Sequence, residues 1–353
     1  MISDDGLRLA VERGLLTPDQ VAGLRELEQE RASAGAEPQD PEAFRFITGF
    51  ADVFVTIGIA LFLGAVAWFV QRLDSETLTA AVVAGLAWAL AEFFTRRRRM
   101  ALPSIVLLVV WTAAVFVTLA TILGGLIEGA NAEPADVAGP LAAAALGAAA
   151  GAAAHFWRFR VPITVAAGYA ALAGAALGSL AAIAPEFVEQ ARNFLLLVCG
   201  LGAFALAMRF DLADRQRTTR RTDMAFWLHL LAAPLIVHPL VLVVFGPEQA
   251  REGVAPAVGL LALFAFLAVV ALLVDRRALL VSGLAYAGWA LSNLLRGSGI
   301  QDETVPATLL VLGALVLLLS AGWRPIRAAV LSRSPAALAN RLPPAHVTSL
   351  AGA

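Results

Sequence analysis

The sequence predicts an all-α, polytopic integral membrane protein of about ten transmembrane helices, with both termini cytoplasmic. Three observations predict it. Of 353 residues, 59% are AVILMFWYC and only 15% are charged. Counting the 29 glycines as well, about two-thirds of the chain is apolar or glycine, against roughly 45–50% in soluble domains. One core cannot hide that much apolar surface, so the excess faces lipid. Next, a bilayer core of about 30 Å needs about 20 apolar residues in helix. Ten stretches supply them: 50–70, 78–95, 101–123, 138–156, 161–184, 191–208, 223–245, 254–274, 278–296 and 304–323. Lastly, the arginines sort to one side. With the N-terminus placed in the cytoplasm, 22 fall inside and 4 outside, while the outer loops carry eleven acids. That is the positive-inside pattern of a bacterial cytoplasmic (inner) membrane protein.

The chain opens with a polar segment, residues 1–43, containing a helical hairpin and a linker. Gly14 suits the C-cap of its first short helix. Thr17 then reads as an N-cap, Pro18 as the first helical residue and Gln20 as the return arm of a capping box. Leu16 and Val21 stand where a hydrophobic staple would form. Leu7, Ala10 and Val11 share one face, and Val21, Leu24 and Leu27 another. A hairpin of about 30 residues is too small to be stable alone, so its apolar stripe must dock, either on the inner face of the bundle or on a protein partner. No apolar h-region precedes it, so no cleavable signal peptide is expected. The ten-helix bundle then occupies residues 44–323, and residues 324–353 read as a cytoplasmic tail. Span 4, with its run LAAAALGAAAGAAA, is expected inside the bundle, because small residues let helix backbones approach closely. Gly174 with Gly178 and Ala60 with Gly64 form small-xxx-small pairs of the same kind.

The hairpin segment GLLTPDQVAGL (14–24), followed by a first span ending AVAWFV (65–70), resembles an uncharacterised family of polytopic bacterial membrane proteins with a short N-terminal cytoplasmic helical hairpin. The resemblance implies an architecture; that family brings no established activity. Ten short spans with both ends inside also resemble the drug/metabolite transporter superfamily in span count and length. An internal repeat is a second expectation. RFRVPITVAAGYAALA in span 5 matches DRRALLVSGLAYAGWA in span 9, which registers Tyr169 with Tyr286 at an offset of 117 residues. Spans 4–6 and 8–10 would then be a duplicated three-helix unit joined by span 7.

Ionisable and polar groups inside spans are the functional candidates, because burying them in hydrocarbon is costly. Asp52 and Glu92 lie near the cytoplasmic ends of spans 1 and 2. Glu92 precedes four arginines, as an edge charge would. Span 7 carries His229 and His238 with Pro234 between them and Pro239 beyond. At about 100° per residue, a nine-residue spacing puts the histidines on opposite faces, and Pro234 should free a carbonyl and kink the axis. Tyr169, Tyr286 and Asn293 complete this candidate intramembrane polar path. His155 and His346 are read as unremarkable edge and tail residues.

The same features exclude much. The chain has no lysine, so Schiff-base and P-loop chemistry are out. Its single cysteine, Cys199, can form neither an internal disulfide nor a cysteine metal cluster. No catalytic motif appears, and no enzyme activity, cofactor or metal is expected. A net charge of −1 gives no field for nucleic acid. The expected partners are the lipid bilayer and, at the hairpin, a protein. Small-solute or ion transport across the inner membrane is the leading reading. The alternative is a non-catalytic membrane scaffold or regulator that works through its hairpin.

Overall fold

In the computed structural model, ten long helices follow one another along the chain among the described residues. The structure describes residues 50–125, 134–214, 219–246, 253–297 and 303–335, together with residues 7, 10–24 and 342. The chain divides into two units, residues 1–43 with 346–353 and residues 44–345, and each is considered by itself.

In the bundle, α1 is Phe50–Gln71 and α2 is Glu76–Arg97. They are followed by α3 Ala101–Gly124, α4 Pro134–Phe159, α5 Thr164–Ile183 and α6 Pro185–Ala213. The last four are α7 Arg220–Phe245, α8 Val254–Val274, α9 Ala278–Gly297 and α10 Thr304–Arg333. All ten are long and apolar enough to cross a membrane. The described residues contain no strand. This is the expected logic of lipid as solvent, since a helix satisfies its backbone internally.

Local chemistry sets the ends. Ser75 caps α2, its Oγ accepting from Leu78 N at 3.1 Å. The last turn of α2 widens to a π-helix over Glu92–Arg97, with Arg98 N donating to Phe93 O at 3.0 Å. Four turn residues, Asp74, Arg99, Arg160 and Asp275, take left-handed backbone with φ of 52–59°. The two arginines adopt that region at a cost of roughly 1–2 kcal/mol, whereas the short polar side chain of aspartate tolerates it more readily. Two expected boundaries move. Helix α6 begins at Pro185 rather than 191, because proline at N1 opens a helix without losing a hydrogen bond. Helix α10 continues to Arg333, ten residues past the end expected at 323, and carries Pro325 inside it.

Four core clusters hold the bundle. Ile59, Leu63, Ala87, Ala91 and Leu107 join α1, α2 and α3. The other three all include α7: Val237 and Val241 with α8 and α9, Ala233 with α8, α9 and α10, and Leu228 with α5 and α6. Helix α7 is therefore the hub, and with α8 it is the most buried of the ten. Helices α1 and α10 lie at the margin, where Phe54, Leu61, Phe69, Leu309, Leu310, Leu317 and Leu318 are exposed. Apolar surface on that scale suits a hydrocarbon surround.

The alanine-rich α4 is only partly withdrawn, contrary to expectation. Ala142, Ala144, Ala145, Ala148 and Ala152 are buried, but Leu146 and Trp157 point outward. Its small face does allow close approach. A Cβ at Gly178 of α5 would lie 3.1 Å from Ala142 Cβ, and one at Gly174 would lie 4.0 Å from Ala145 Cβ. Trp111 Nε1 of α3 donates to Gly151 O of α4 at 3.2 Å. The Ala60–Gly64 pair is exposed on α1, with nothing within 4 Å of a Cβ at Gly64.

In the N-terminal unit the capping box forms as the sequence predicts. Thr17 N donates to Gln20 Oε1 at 2.9 Å, and Gln20 N to Thr17 Oγ1 at 3.3 Å. Gly14 turns the chain with φ 69°. Leu27 and the 32–41 linker lie outside the described residues, as does His346.

Candidate functional site

The strongest polar constellation gathers where α6, α7 and the α8–α9 turn meet, at the arginine-rich end of the bundle. His229 sits nine residues into α7 and is fully buried. Its Nε2 lies 3.0 Å from Oδ2 of Asp211, in the last turn of α6. Arg276, in the short α8–α9 turn, grips the same carboxylate with both Nε (3.1 Å to Oδ2) and Nη2. That Nη2 also donates to Thr222 O at 3.3 Å. A bidentate guanidinium fork is the geometry of an ionised carboxylate. An ionised carboxylate can only accept, so His229 Nε2 carries the proton in this bond. The Phe204 ring stands edge-on to the imidazole at 5.3 Å.

Two further carboxylates extend the network. Asp214 braces the start of α7, whose N-cap is Thr219, accepting from Thr219 N at 2.8 Å and from Thr222 Oγ1 at 3.0 Å. Asp275 accepts from Trp323 Nε1 at 2.8 Å and lies 3.4 Å from Arg327 Nε, which also donates to Leu272 O. Helices α6, α7, α8 and α10 are thus tied together at one end by buried charge. Removing several kcal/mol of hydration per ion is offset only when partners are this complete.

The other sequence candidates scatter. His238 lies on an exposed side of α7, as the nine-residue spacing implies, and its Nδ1 meets Tyr286 Oη of α9 at 2.5 Å. The fold thus brings two of the sequence candidates into direct contact. Helix α7 runs unbroken through Pro234 and Pro239. Tyr169 donates instead to Cys199 O of α6 at 2.7 Å, so the two tyrosines registered by the repeat serve different partners. Gly202 makes room for that bond, since a Cβ there would sit 2.5 Å from Tyr169 Oη. Asn293 keeps its Nδ2 buried without a hydrogen-bond partner. Asp52 is buried and accepts from Ala101 N at 3.3 Å, placing a carboxylate at the start of α3. Glu92 is held by Arg158 at 2.7 and 2.9 Å and by Arg96 at 3.3 Å.

Sequence reasoning singled out His229 but missed Asp211, Arg276, Asp275 and Arg327. The first three read as loop charges and Arg327 as a tail charge, and only the topology shows them turned inward. His155 is also more unusual than expected. It is fully buried with neither ring nitrogen hydrogen-bonded, between Trp88 at 5.9 Å and Phe159 at 4.6 Å. The described residues contain no group of three or more His, Cys, Asp or Glu placed to hold a metal ion. No family profile, curated protein or solved structure matches the chain.

Proposed function

We propose that this chain moves a small solute or ion across a bacterial inner membrane, with α7 as its working helix. The observation that carries the reading is the buried His229–Asp211–Arg276 cluster, whose histidine stands on the helix that joins three of the four cores. Ionisable groups buried within a membrane-spanning bundle, here toward its arginine-rich end, mark ion and solute paths by default. His229 and Asp211 share one hydrogen bond along which a proton can pass, and Arg276 sets the charge of the pair. Proline inside α7 gives the helix two places to bend. The 22-to-4 arginine asymmetry supports cytoplasmic termini. In this reading the chain is not an enzyme.

The test reconstitutes the full chain in liposomes loaded with cell extract, imposes a pH gradient, and reads retained solutes by mass spectrometry. At least one solute is expected to redistribute with the wild type and not with His229→Gln. If wild-type and empty liposomes behave alike, the reading is wrong.

A second reading, a scaffold acting through its hairpin, has its own support. The capping box closes with both hydrogen bonds, residues 1–43 belong with residues 346–353 to a unit of their own, and segments 14–24 and 65–70 carry the family resemblance. Here deletion of residues 1–40 abolishes the cellular phenotype while His229→Ala with His238→Ala leaves it intact at normal membrane abundance. Transport predicts the reverse.

A further inference from the structure

Beyond the buried cluster, the arginine-rich end holds an open basic cavity of about 540 Å³. Five guanidinium groups line it, from Arg96, Arg99, Arg158, Arg160 and Arg220, against one carboxylate, Asp223. The volume falls in the usual range for small-molecule sites, roughly 300–1,000 Å³.

The arginines divide by their bonds. Arg158 and Arg96 are held by Glu92. Arg99, Arg160 and Arg220 are exposed and make no ion pair or hydrogen bond through their side chains within the described structure. Arg99 and Arg160 end α2 and α4 in the same left-handed conformation, with φ of 54° and 57°. Glycine would sit there without strain. Strained residues of this kind concentrate at ligand clamps. The starts of α3 and α7 reach the same cavity through Ala101 and Arg220, and the turn before α5 through Val161 and Pro162; helix N-termini add partial positive charge. On the wall, Thr95 Oγ1 is buried without a hydrogen-bond partner. A hydroxyl in that state lacks only an acceptor or donor from a ligand.

We infer that this cavity binds a phosphate-bearing anion through Arg99, Arg160 and Arg220, independently of whether the chain transports anything. Phosphoryl oxygens match the guanidinium fork, and basic pockets between helices at a membrane edge recognise acidic lipid headgroups. The apolar part of the wall, from Ile105, Val161 and Trp227, suits the first methylenes of a phospholipid's acyl chains. A free phosphate would use the same guanidinium groups.

The experiment follows thermal unfolding of the purified full chain in detergent micelles, titrated separately with phosphatidylglycerol, phosphatidylcholine and inorganic phosphate. Stabilisation by phosphatidylglycerol and not phosphatidylcholine identifies the lipid as the source; stabilisation by inorganic phosphate identifies the free anion. Either supports the site. Arg99→Gly with Arg160→Gly, which the left-handed backbone accommodates, is expected to weaken the effect about tenfold or more, as loss of charge-assisted bonds implies. Arg97→Gln with Arg98→Gln removes equal charge from outside the cavity and should leave the effect in place. No response of the wild type to any of the three compounds overturns the proposal. So does a tenfold or greater weakening of the effect in the Arg97 and Arg98 variant, read against the wild type. Both readouts stand even if the glycine variant does not fold.

Discussion

Asp211 Oδ2 and His229 Nε2 meet at 3.0 Å where neither side chain reaches solvent, and Arg276 closes the remaining side of the carboxylate. Asp211→Ala would leave a guanidinium buried without a counter-charge. Breaking a buried pair in this way costs about 3–5 kcal/mol. Asp211→Leu combined with Arg276→Met removes both charges and should recover most of that loss. Denaturant unfolding in micelles, followed by circular dichroism, checks both. A single variant within about 1 kcal/mol of wild type would mean the cluster behaves as a surface pair.

Glu92 supplies the contrast. Its pair with Arg158 has a similar distance, 2.7 Å, but the two side chains are 33% and 30% exposed. Glu92→Gln is therefore expected to cost no more than about 1 kcal/mol, and less at high salt. The same unfolding measurement at two ionic strengths reads this directly.

The difference between these two pairs shows what the sequence could and could not disclose. Glu92 beside four arginines is legible as an edge charge because its partner Arg96 is one helical turn away. The Thr17–Gln20 box is legible for the same reason: both of its bonds are local. Spans are legible because hydrocarbon selects on composition alone. Asp211 was not legible, since its partners stand 18 and 65 residues away and it sits beside a run of arginines that reads as a loop. Arg327 was hidden differently. Hydropathy falls at Trp323, but the helix continues, and the charge taken for tail turns inward to Asp275. The placement of Tyr286 against His238 required knowing that α9 packs on α7, which periodicity in so apolar a chain does not encode.

His155 predicts a gain. Its ring is buried among aromatic side chains with both nitrogens unbonded; the edge-on Trp88 ring is at best a weak acceptor. Replacing an unsatisfied buried polar group with an apolar one of similar shape is neutral or stabilising. His155→Phe should raise the unfolding midpoint, by the equivalent of about 1 kcal/mol. A fall of that size would mean that His155 has a bonded role in the membrane.

The last prediction concerns how closely α6 approaches the hub. A Cβ at Gly200 would lie 2.8 Å from Ile236 Cγ1, 2.8 Å from the Leu235 carbonyl carbon and 2.9 Å from Leu235 Cβ. Ile236 can rotate away, but the Leu235 backbone, just past Pro234, cannot do so without moving α7. Gly200→Ala should therefore overpack the α6–α7 contact and cost about 1–3 kcal/mol. Helix propensity alone argues the opposite sign, because alanine is favoured over glycine by up to about 1 kcal/mol in a helix interior. Gly64→Ala isolates that second effect, since nothing lies within 4 Å of its added methyl. The pair is thus a sign test. Gly64→Ala is expected to be neutral or slightly stabilising and Gly200→Ala destabilising, both read by unfolding in the same micelles. Equal tolerance at the two positions would mean that α6 and α7 do not pack backbone to backbone at Gly200.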